Sequence, residues 1–409
     1  VPAASCPRIA VIGAGAAGTM AAIFAAAGGA EVLLLERTGD GGRKILIAGG
    51  GRCNVLPAAL DERRFVTDSS PHALRNILRS WPHAEQRAFF EHEVGIPLKE
   101  EPETAKLFPV SDRARDVRDG LLQLAAARGA TFVPGVTVTG LDPVDGRWRV
   151  TTDGGAPLDV DRVIVATGGL SVPTTGSDGT GLRLLERLGH AVHPTYAALT
   201  PITCDPPPFG HLAGVSLVAT VTAHDGRRTA TATGGFLFTK HGYSGPAVLD
   251  VSHVLVRARQ EGRPAALRAQ WTPHDEPAWE ALLRPEGTRT VGGVVRRELP
   301  DRLADALLAR AGVDPATALA QLPREARRRV IEELVRGDLP WTGDEGYRKA
   351  EVTGGGVSLA EVHPRTMESR RCPGLFLCGE VLDAFGPIGG YNFCWAWATG
   401  RAAGLGAIA

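Results

Sequence analysis

An α/β fold built on a parallel sheet, drawn from both chain ends and interrupted by a β-rich insert, is what this sequence predicts. Three observations carry the prediction. Wholly apolar runs stand at 9–12, 163–166 and 375–377, as expected of strands covered on both faces of a parallel sheet. Each run passes at once into glycines or other small residues. The first and third lie near opposite chain ends, and the stretch between them changes in pattern. With 409 residues, two or three domains are expected. The boundaries fall at 1–195 and 350–409 for the split α/β part, 196–275 for the β-rich insert and 276–349 for a helical insert.

The first run opens a dinucleotide-binding pattern. Gly13-Ala-Gly15-Ala16-Ala17-Gly18 follows the strand directly and leads into good helix formers that end at Gly28-Gly29. Gly13 permits the tight turn, Gly15 lets a pyrophosphate approach the backbone, and Gly18 lets the helix pack close to the strand. The amides at Ala16 and Ala17, with the helix dipole, favour the phosphates. A second buried strand ends in Glu36, 36 − 13 = 23 residues after the first glycine, where an acid bonds a ribose diol and repels the extra phosphate of NADP. Residues 9–30 carry no charge. Their glycines and abundant alanine predict a helix buried on a sheet rather than a membrane span.

Three further stretches turn this pattern toward FAD. Gly41-Gly-Arg43-Lys44 through Gly49-Gly-Gly51-Arg52-Cys53-Asn54 is a glycine-rich loop with cations, suited to wrapping an extended dinucleotide. Residues 163–169 form a strand ending in Ala166-Thr167-Gly168, beneath the adenosine half. Before it, 135–138 reads as a strand whose backbone reaches the adenine, with Val138 the expected contact. Gly374-Leu-Phe-Leu-Cys378-Gly379-Glu380 is a second strand ending in glycine and an acid, followed by Gly386-Pro-Ile-Gly-Gly390-Tyr391-Asn392 and a helix. Glu380 suits the ribityl chain, and the helix start suits the pyrimidine end of a flavin, where negative charge develops on reduction. An NAD dehydrogenase has no need of this second strand.

These residues resemble the YhiN/BaiN-type bacterial flavoproteins, also described as aminoacetone-oxidase-like, NAD(P)/FAD-dependent oxidoreductases. The resemblance runs along nearly the whole chain. It rests on the Arg43-to-Asn54 loop, Ala166 to Pro173 with Thr175-Gly176, Gly235 to Thr239 with Ser244-Gly-Pro246, Ala350 to Val357, Thr366 to Ser369 and Gly379 to Asn392. It implies a two-dinucleotide, glutathione-reductase-like Rossmann-type FAD domain, split in sequence, with an inserted β-rich barrel-like domain and a helical segment. It also implies flavin-dependent redox chemistry on small molecules; members have been linked to amine oxidation and to reduction of unsaturated steroid acids, so substrate does not transfer. The chain departs from the family at Ala105-Lys106-Leu107, Thr239-Lys240 and Gly242-Tyr243, which can fall near the substrate.

Within the insert, 198–271 alternates short β-rich runs with turns, 215–221 and 235–238 being candidate strands of a small barrel or sandwich. Residues 275–339 are helical by pattern, with Leu299, Leu303, Leu307 and Leu308 at helical spacing. As a roof over the flavin, the insert would exclude water.

Composition is that of a globular protein, with 44% hydrophobic residues and equal numbers of Lys plus Arg and Asp plus Glu, 45 each. Neither nucleic acid nor membrane is expected as a partner. The basic cluster at Arg324 and Arg327 to Arg329 is followed by Glu332 and Glu333, as on a solvated helix face. Six cysteines lack C-x-x-C or zinc spacing and no secretory leader is seen, so a reduced, cytoplasmic protein without metal is expected. Cys53 follows two cations nearby in sequence, Arg43 and Arg52, that can lower its pKa, against the plainer reading of a small residue in a cofactor loop. His241 and Tyr243 can reach a substrate or simply form a turn, and no catalytic side chain is assigned. The function expected is an FAD-dependent oxidoreductase passing hydride or electrons to or from a small molecule, with NAD(P)H, docking transiently, or oxygen as partner. The alternatives are a non-catalytic flavin-binding redox sensor or scaffold, and a flavin-dependent RNA-modifying protein.

Overall fold

The computed structural model describes residues 6–409. The chain forms two compact units, one running to Thr195 and resuming over Val352–Ala409, the other spanning Tyr196–Glu351.

In the first unit the apolar runs become one parallel five-stranded sheet, ordered Leu375–Leu377, Arg162–Val165, Arg8–Ile12, Glu31–Glu36 and Thr131–Pro134. Val163 pairs with both Ala10 and Leu375, so a strand from the far chain end completes the sheet begun at the near end. Ile9, Val11, Val163, Ile164 and Leu375 are fully buried, which accounts for their unbroken hydrophobicity. The uncharged stretch after the first strand is the helix Ala16–Ala27. It packs on the C-terminal helix Tyr391–Gly406 through small residues: a Cβ on Gly400 or Gly404 would stand 2.4 or 2.5 Å from the carbonyl oxygen of Ala17 or Ala21. Alanine and glycine were chosen there for close backbone approach. Among the described residues no helix is long and apolar enough to cross a membrane.

Two antiparallel pieces flank this sheet. Leu56–Pro57, Lys106–Pro109 and Leu98–Glu101 form one, and Val138–Val144, Arg147–Thr152 and Leu158–Val160 the other. The strand expected over 135–138 is corrected here. The parallel strand stops at Pro134, Gly135 turns with φ +74°, and Val138 begins the antiparallel hairpin. A proline and a left-handed glycine side by side end a strand that the β-branched residues alone suggest would continue.

The second unit holds a seven-stranded antiparallel sheet, ordered Gly337–Asp338, Ala266–Gln270, Ser216–His224, Thr229–Thr239, Gly242–Ser244, Ile202–Thr203, Gly343–Asp344. Its two edge strands are neighbours in sequence. Five residue steps from Asp338 to Gly343 reach at most about 17 Å, whereas seven flat strands would span about 29 Å. The sheet must therefore curl toward closure. The helix Pro246–Gln260 packs on its inner face, in a segment read as β-rich. Val248, Val251, Val254, Leu255 and Ala258 are all buried at helical spacing, but their β-branched composition disguises the period. Helices Glu276–Leu282, Val291–Glu298, Asp301–Ala311 and Arg324–Arg336 complete the unit. Each unit has its own apolar core, and no residue of one core lies in the other unit.

Candidate functional site

The three fingerprint glycines have different reasons to be glycine. A Cβ on Gly13, whose φ is +101°, would stand 2.6 Å from the carbonyl oxygen of Ala166. One on Gly18 would lie 1.8 Å from the carbonyl oxygen of Gly13. Protein packing excludes a side chain at both. A Cβ on Gly15 would meet nothing within 4 Å. Gly15 therefore borders open space, in front of a helix whose first intrahelical bond is Thr19 N–H to the carbonyl of Gly15. No side chain caps that helix, so the amides of Ala16, Ala17 and Gly18 precede its ladder. This cradle fits the pyrophosphate of a dinucleotide.

Glu36 is buried beside the cradle. Its Oε2 accepts from Ala14 N at 2.8 Å, and its Oε1 from Thr38 N at 2.8 Å and Thr38 Oγ1 at 2.7 Å. A carboxylate has about four acceptor positions, so the group is fixed in place with room for one further donor. Val136 N–H bonds the carbonyl of Glu36 at 2.9 Å, which brings the segment leading to Val138 alongside the acid. Val138 itself is buried.

The cations of the following loop separate. Lys44, on the short helix Arg43–Ile47, reaches Glu380 Oε2 and Ser171 Oγ, both at 2.5 Å. Ser171 Oγ donates to Glu380 Oε1 at 2.6 Å, and Thr353 N–H donates to the same oxygen at 3.0 Å. Thr353 Oγ1 in turn accepts from the amides of Leu170 and Ser171 at 2.7 and 3.1 Å. Four separated chain segments thus meet around Glu380. Val172, next to Ser171, has φ +47° and precedes Pro173. A β-branched residue is held there against its preference, a kind of strain that clusters at ligand clamps. Arg43 pairs with Asp40 at 2.7 Å, and Arg52 pairs with Glu101 at 2.9 Å over the ring of Phe108.

Those pairings decide between the two readings of Cys53 in favour of the plainer one. Its thiol is fully buried, and burial pushes its pKa up rather than down. The two arginines near it in sequence are committed to carboxylates. Cys378 is likewise raised by burial, and Cys394 is pushed up to about 12. All six cysteines are free, and among the described residues no group of three or more His, Cys, Asp or Glu is placed to hold a metal.

At the same carboxyl end of the sheet, Ala166, Thr167 and Gly168 follow the strand beside the fingerprint, Gly168 with φ +71°. Gly379 lies against Ala17, its Cβ position 2.8 Å from that residue's Cβ, and its N–H donates to Thr399 Oγ1. The 386–392 loop closes on itself. Asn392 Oδ1 accepts from Gly386 N, and its Nδ2 donates to Gly386 O, both at 2.9 Å. Gly390, with φ +92°, packs on Leu56 where a Cβ would come within 2.4 Å. Tyr391 is buried, its ring 5.7 Å from that of Phe65. The side chains of Tyr391 and Asn392 are thus engaged within the protein. What this segment presents is the uncapped start of the 16-residue C-terminal helix.

Sequence reading missed Ser171 and Thr353 as members of the Glu380 network, although both stood inside quoted motifs. It also missed Asp383, whose Oδ2 accepts from Thr67 Oγ1, the amides of Asp68 and Ser69, and Ser69 Oγ at 2.8–3.0 Å. A third residue after Gly-Glu is the only signal it left. In the second unit, Tyr243 is corrected: it is 1% exposed, its hydroxyl donates to Pro340 O at 3.0 Å, and burial raises its pKa. It belongs to a core with Phe209, Phe236 and Phe238. His241 stands exposed in the adjoining turn.

The HI0933-like protein Rossmann domain matches residues 7–406. A 3-dehydro-bile acid delta(4,6)-reductase of Clostridium scindens is 33% identical over 408 residues, 98% of each chain. A ribosomal RNA dihydrouridine synthase of Escherichia coli is 32% identical over 404 residues, covering 98% of this chain and 97% of that one. Among solved structures, a 3-ketosteroid delta1-dehydrogenase of Sterolibacterium denitrificans superposes with a TM-score of 0.53 at 12% identity, over 98% of this chain and 99% of that one, a likeness of fold.

Proposed function

The chain belongs to the HI0933-like Rossmann-domain family, and from that premise we propose that it is an FAD-dependent oxidoreductase that saturates a carbon–carbon double bond conjugated to a carbonyl in a small organic molecule. The carrying observation is Gly15, open where its two partner glycines are closed by protein. Around it, the amides of Ala16 and Ala17 suit the pyrophosphate, Glu36 a ribose, and the Lys44–Ser171–Glu380 network the polyol that joins the phosphates to the ring. Gly51, Arg52, the backbone of Cys53 and of Val138, Gly168, Gly390 and the starts of Tyr391 and Asn392 complete the proposed lining.

FAD, when bound, supplies the two-electron chemistry, and the chain's residues bind, orient and shield it. The substrate class comes from the two relatives. The names of both describe hydrogenation of a C=C bond beside a carbonyl, in a 3-oxo steroid acid and in uridine. The balance is two electrons and one proton delivered as hydride to one carbon, and one solvent-derived proton to the other. NAD(P)H is the proposed source of electrons. Six free thiols suit a reduced, cytoplasmic compartment.

Uridine within RNA is the second reading, favoured by the Escherichia coli relative and by a Haemophilus influenzae ribosomal RNA dihydrouridine synthase, 30% identical over 400 residues. A net charge of zero speaks against a long polyanion. The test is to purify the protein, identify the cofactor released on denaturation, reduce it anaerobically with NADH or NADPH, and offer either a conjugated enone or unmodified RNA. Reoxidation by the enone with formation of the saturated ketone is expected. Dihydrouridine formation alone establishes the second reading. Colourless protein that takes up no added FAD overturns both, and bound FAD that exchanges electrons with neither acceptor makes the chain a non-catalytic flavin protein.

A further inference from the structure

We infer that Lys106 is the positioning cation for the electron-accepting end of the cofactor, holding positive charge beside the start of the C-terminal helix. The inference rests on the FAD reading above and concerns a residue which that reading leaves out.

Lys106 begins the strand Lys106–Pro109 and pairs with Pro57 on one side and Glu101 on the other. Its methylene stem lies over Gly389: Cε, Cγ and Cδ stand 3.4, 3.6 and 4.0 Å from where a Cβ on that glycine would be. Gly389 has φ +115° and is followed by Gly390, the residue that opens the helix Tyr391–Gly406. At these distances the lysine stem lies in van der Waals range of the Gly389 position, so the loop and the lysine are packed side by side.

The charge at Lys106 faces Glu101, whose pKa it helps Arg52 to lower, but is not hydrogen-bonded to it. Among the described residues its ammonium makes no hydrogen bond or ion pair. The carboxylate opposite it, Glu101, is taken by Arg52 at 2.9 Å and Thr104 Oγ1 at 2.6 Å. Lys44, by contrast, is neutralised by Glu380. The cradle at Gly15 and the Gly379-Glu380 turn lie together at the carboxyl ends of the parallel strands, Gly379 against Ala17, and the chain runs on from Glu380 into the 386–392 loop. A cation and an uncapped helix start together favour negative charge beside that loop. Lys106 is partly buried, and the packing of its stem on Gly389 keeps its charge near the helix start.

The test uses the FAD-loaded full chain with Lys106→Met, Lys106→Gln and Lys106→Arg. The readouts are FAD content, the dissociation constant for sulfite, which adds to flavins made electron-poor by nearby positive charge, and the two-electron midpoint potential. In both neutral variants sulfite binding is expected to weaken at least tenfold and the potential to fall by about 30 mV, the equivalent of a tenfold change for two electrons. Lys106→Arg should stay within about threefold of the parent, well under the 1.4 kcal/mol of a tenfold change. Unchanged sulfite affinity and potential in a fully loaded Lys106→Met or Lys106→Gln overturns the inference and leaves the FAD reading standing. Loss of FAD by both neutral variants but not by Lys106→Arg also overturns it, since the lysine would then hold the phosphates. A parent protein that takes up no FAD overturns the reading itself, and the inference with it.

Discussion

Gly15 and Gly18 are three residues apart and look equivalent as letters, yet a methyl group at each meets opposite surroundings. At Gly18 it strikes the carbonyl of Gly13, so Gly18→Ala should destabilise the apoprotein, by about 1–3 kcal/mol as overpacking does. At Gly15 it enters empty space, so Gly15→Val should leave the apoprotein's melting temperature near that of the parent while abolishing FAD uptake. Thermal melts without cofactor and FAD titration separate the two. A Gly15→Val protein that still binds FAD at parental affinity would remove the basis for the site. Glu36 combines both roles. Glu36→Ala removes a charged acceptor worth about 1.5–3 kcal/mol, but it also frees the amides of Ala14 and Thr38, so its loss should appear in both melt and titration.

Elements convert such contacts into loops and cores with definite duties. Tyr243 sits in the aromatic core of its unit, so Tyr243→Phe should leave FAD content and turnover unchanged. The stranded carbonyl of Pro340 should lower stability by about 1–3 kcal/mol. Asn392 clasps the loop ahead of the C-terminal helix, so Asn392→Ala should weaken FAD binding by about tenfold, the 1.4 kcal/mol expected of one or two lost hydrogen bonds. Unaltered FAD affinity would show that the clasp does not shape the site. His190 gives an element-scale pH effect. It is buried, with Nε2 2.7 Å from Ser369 Oγ, and burial holds its pKa below the usual imidazole value. The unfolded chain takes up a proton near pH 6.5 that the folded chain refuses. Stability is therefore intact above about pH 6.5 and falls below it, by at most about 1.4 kcal/mol per pH unit. The midpoint of urea unfolding should fall between pH 7 and pH 5, less steeply in His190→Gln; His83, also depressed by burial, supplies a remaining slope of the same sign.

At the scale of the whole molecule, two cores that share no residue predict two folding units. Residues Tyr196–Glu351 should fold alone, and the remainder should fold when Thr195 is joined to Val352 by a short linker. Pro194 and Gly355 are already neighbours, with a Cβ on Gly355 only 2.3 Å from the Pro194 carbonyl oxygen, so the join needs little chain. Cooperative unfolding of each piece by circular dichroism is the expected result, and a joined first unit without it would mean that the division is not energetic. The sequence by itself determined the parallel sheet, its recruitment of a strand from the far end, and the order of glycines and acids. Those features are local: an unbroken apolar run, a glycine spacing and a terminal acid each act within about one turn or strand. Only tertiary structure decided which cation meets Glu380, that Cys53 is shut away from its arginines, that Tyr243 is core, and that Lys106 lies on Gly389. Each of those is settled by a partner distant in sequence, as Lys44 and Glu380 are, 336 positions apart. Periodicity along a chain says which face a side chain takes, and packing alone says what stands opposite it.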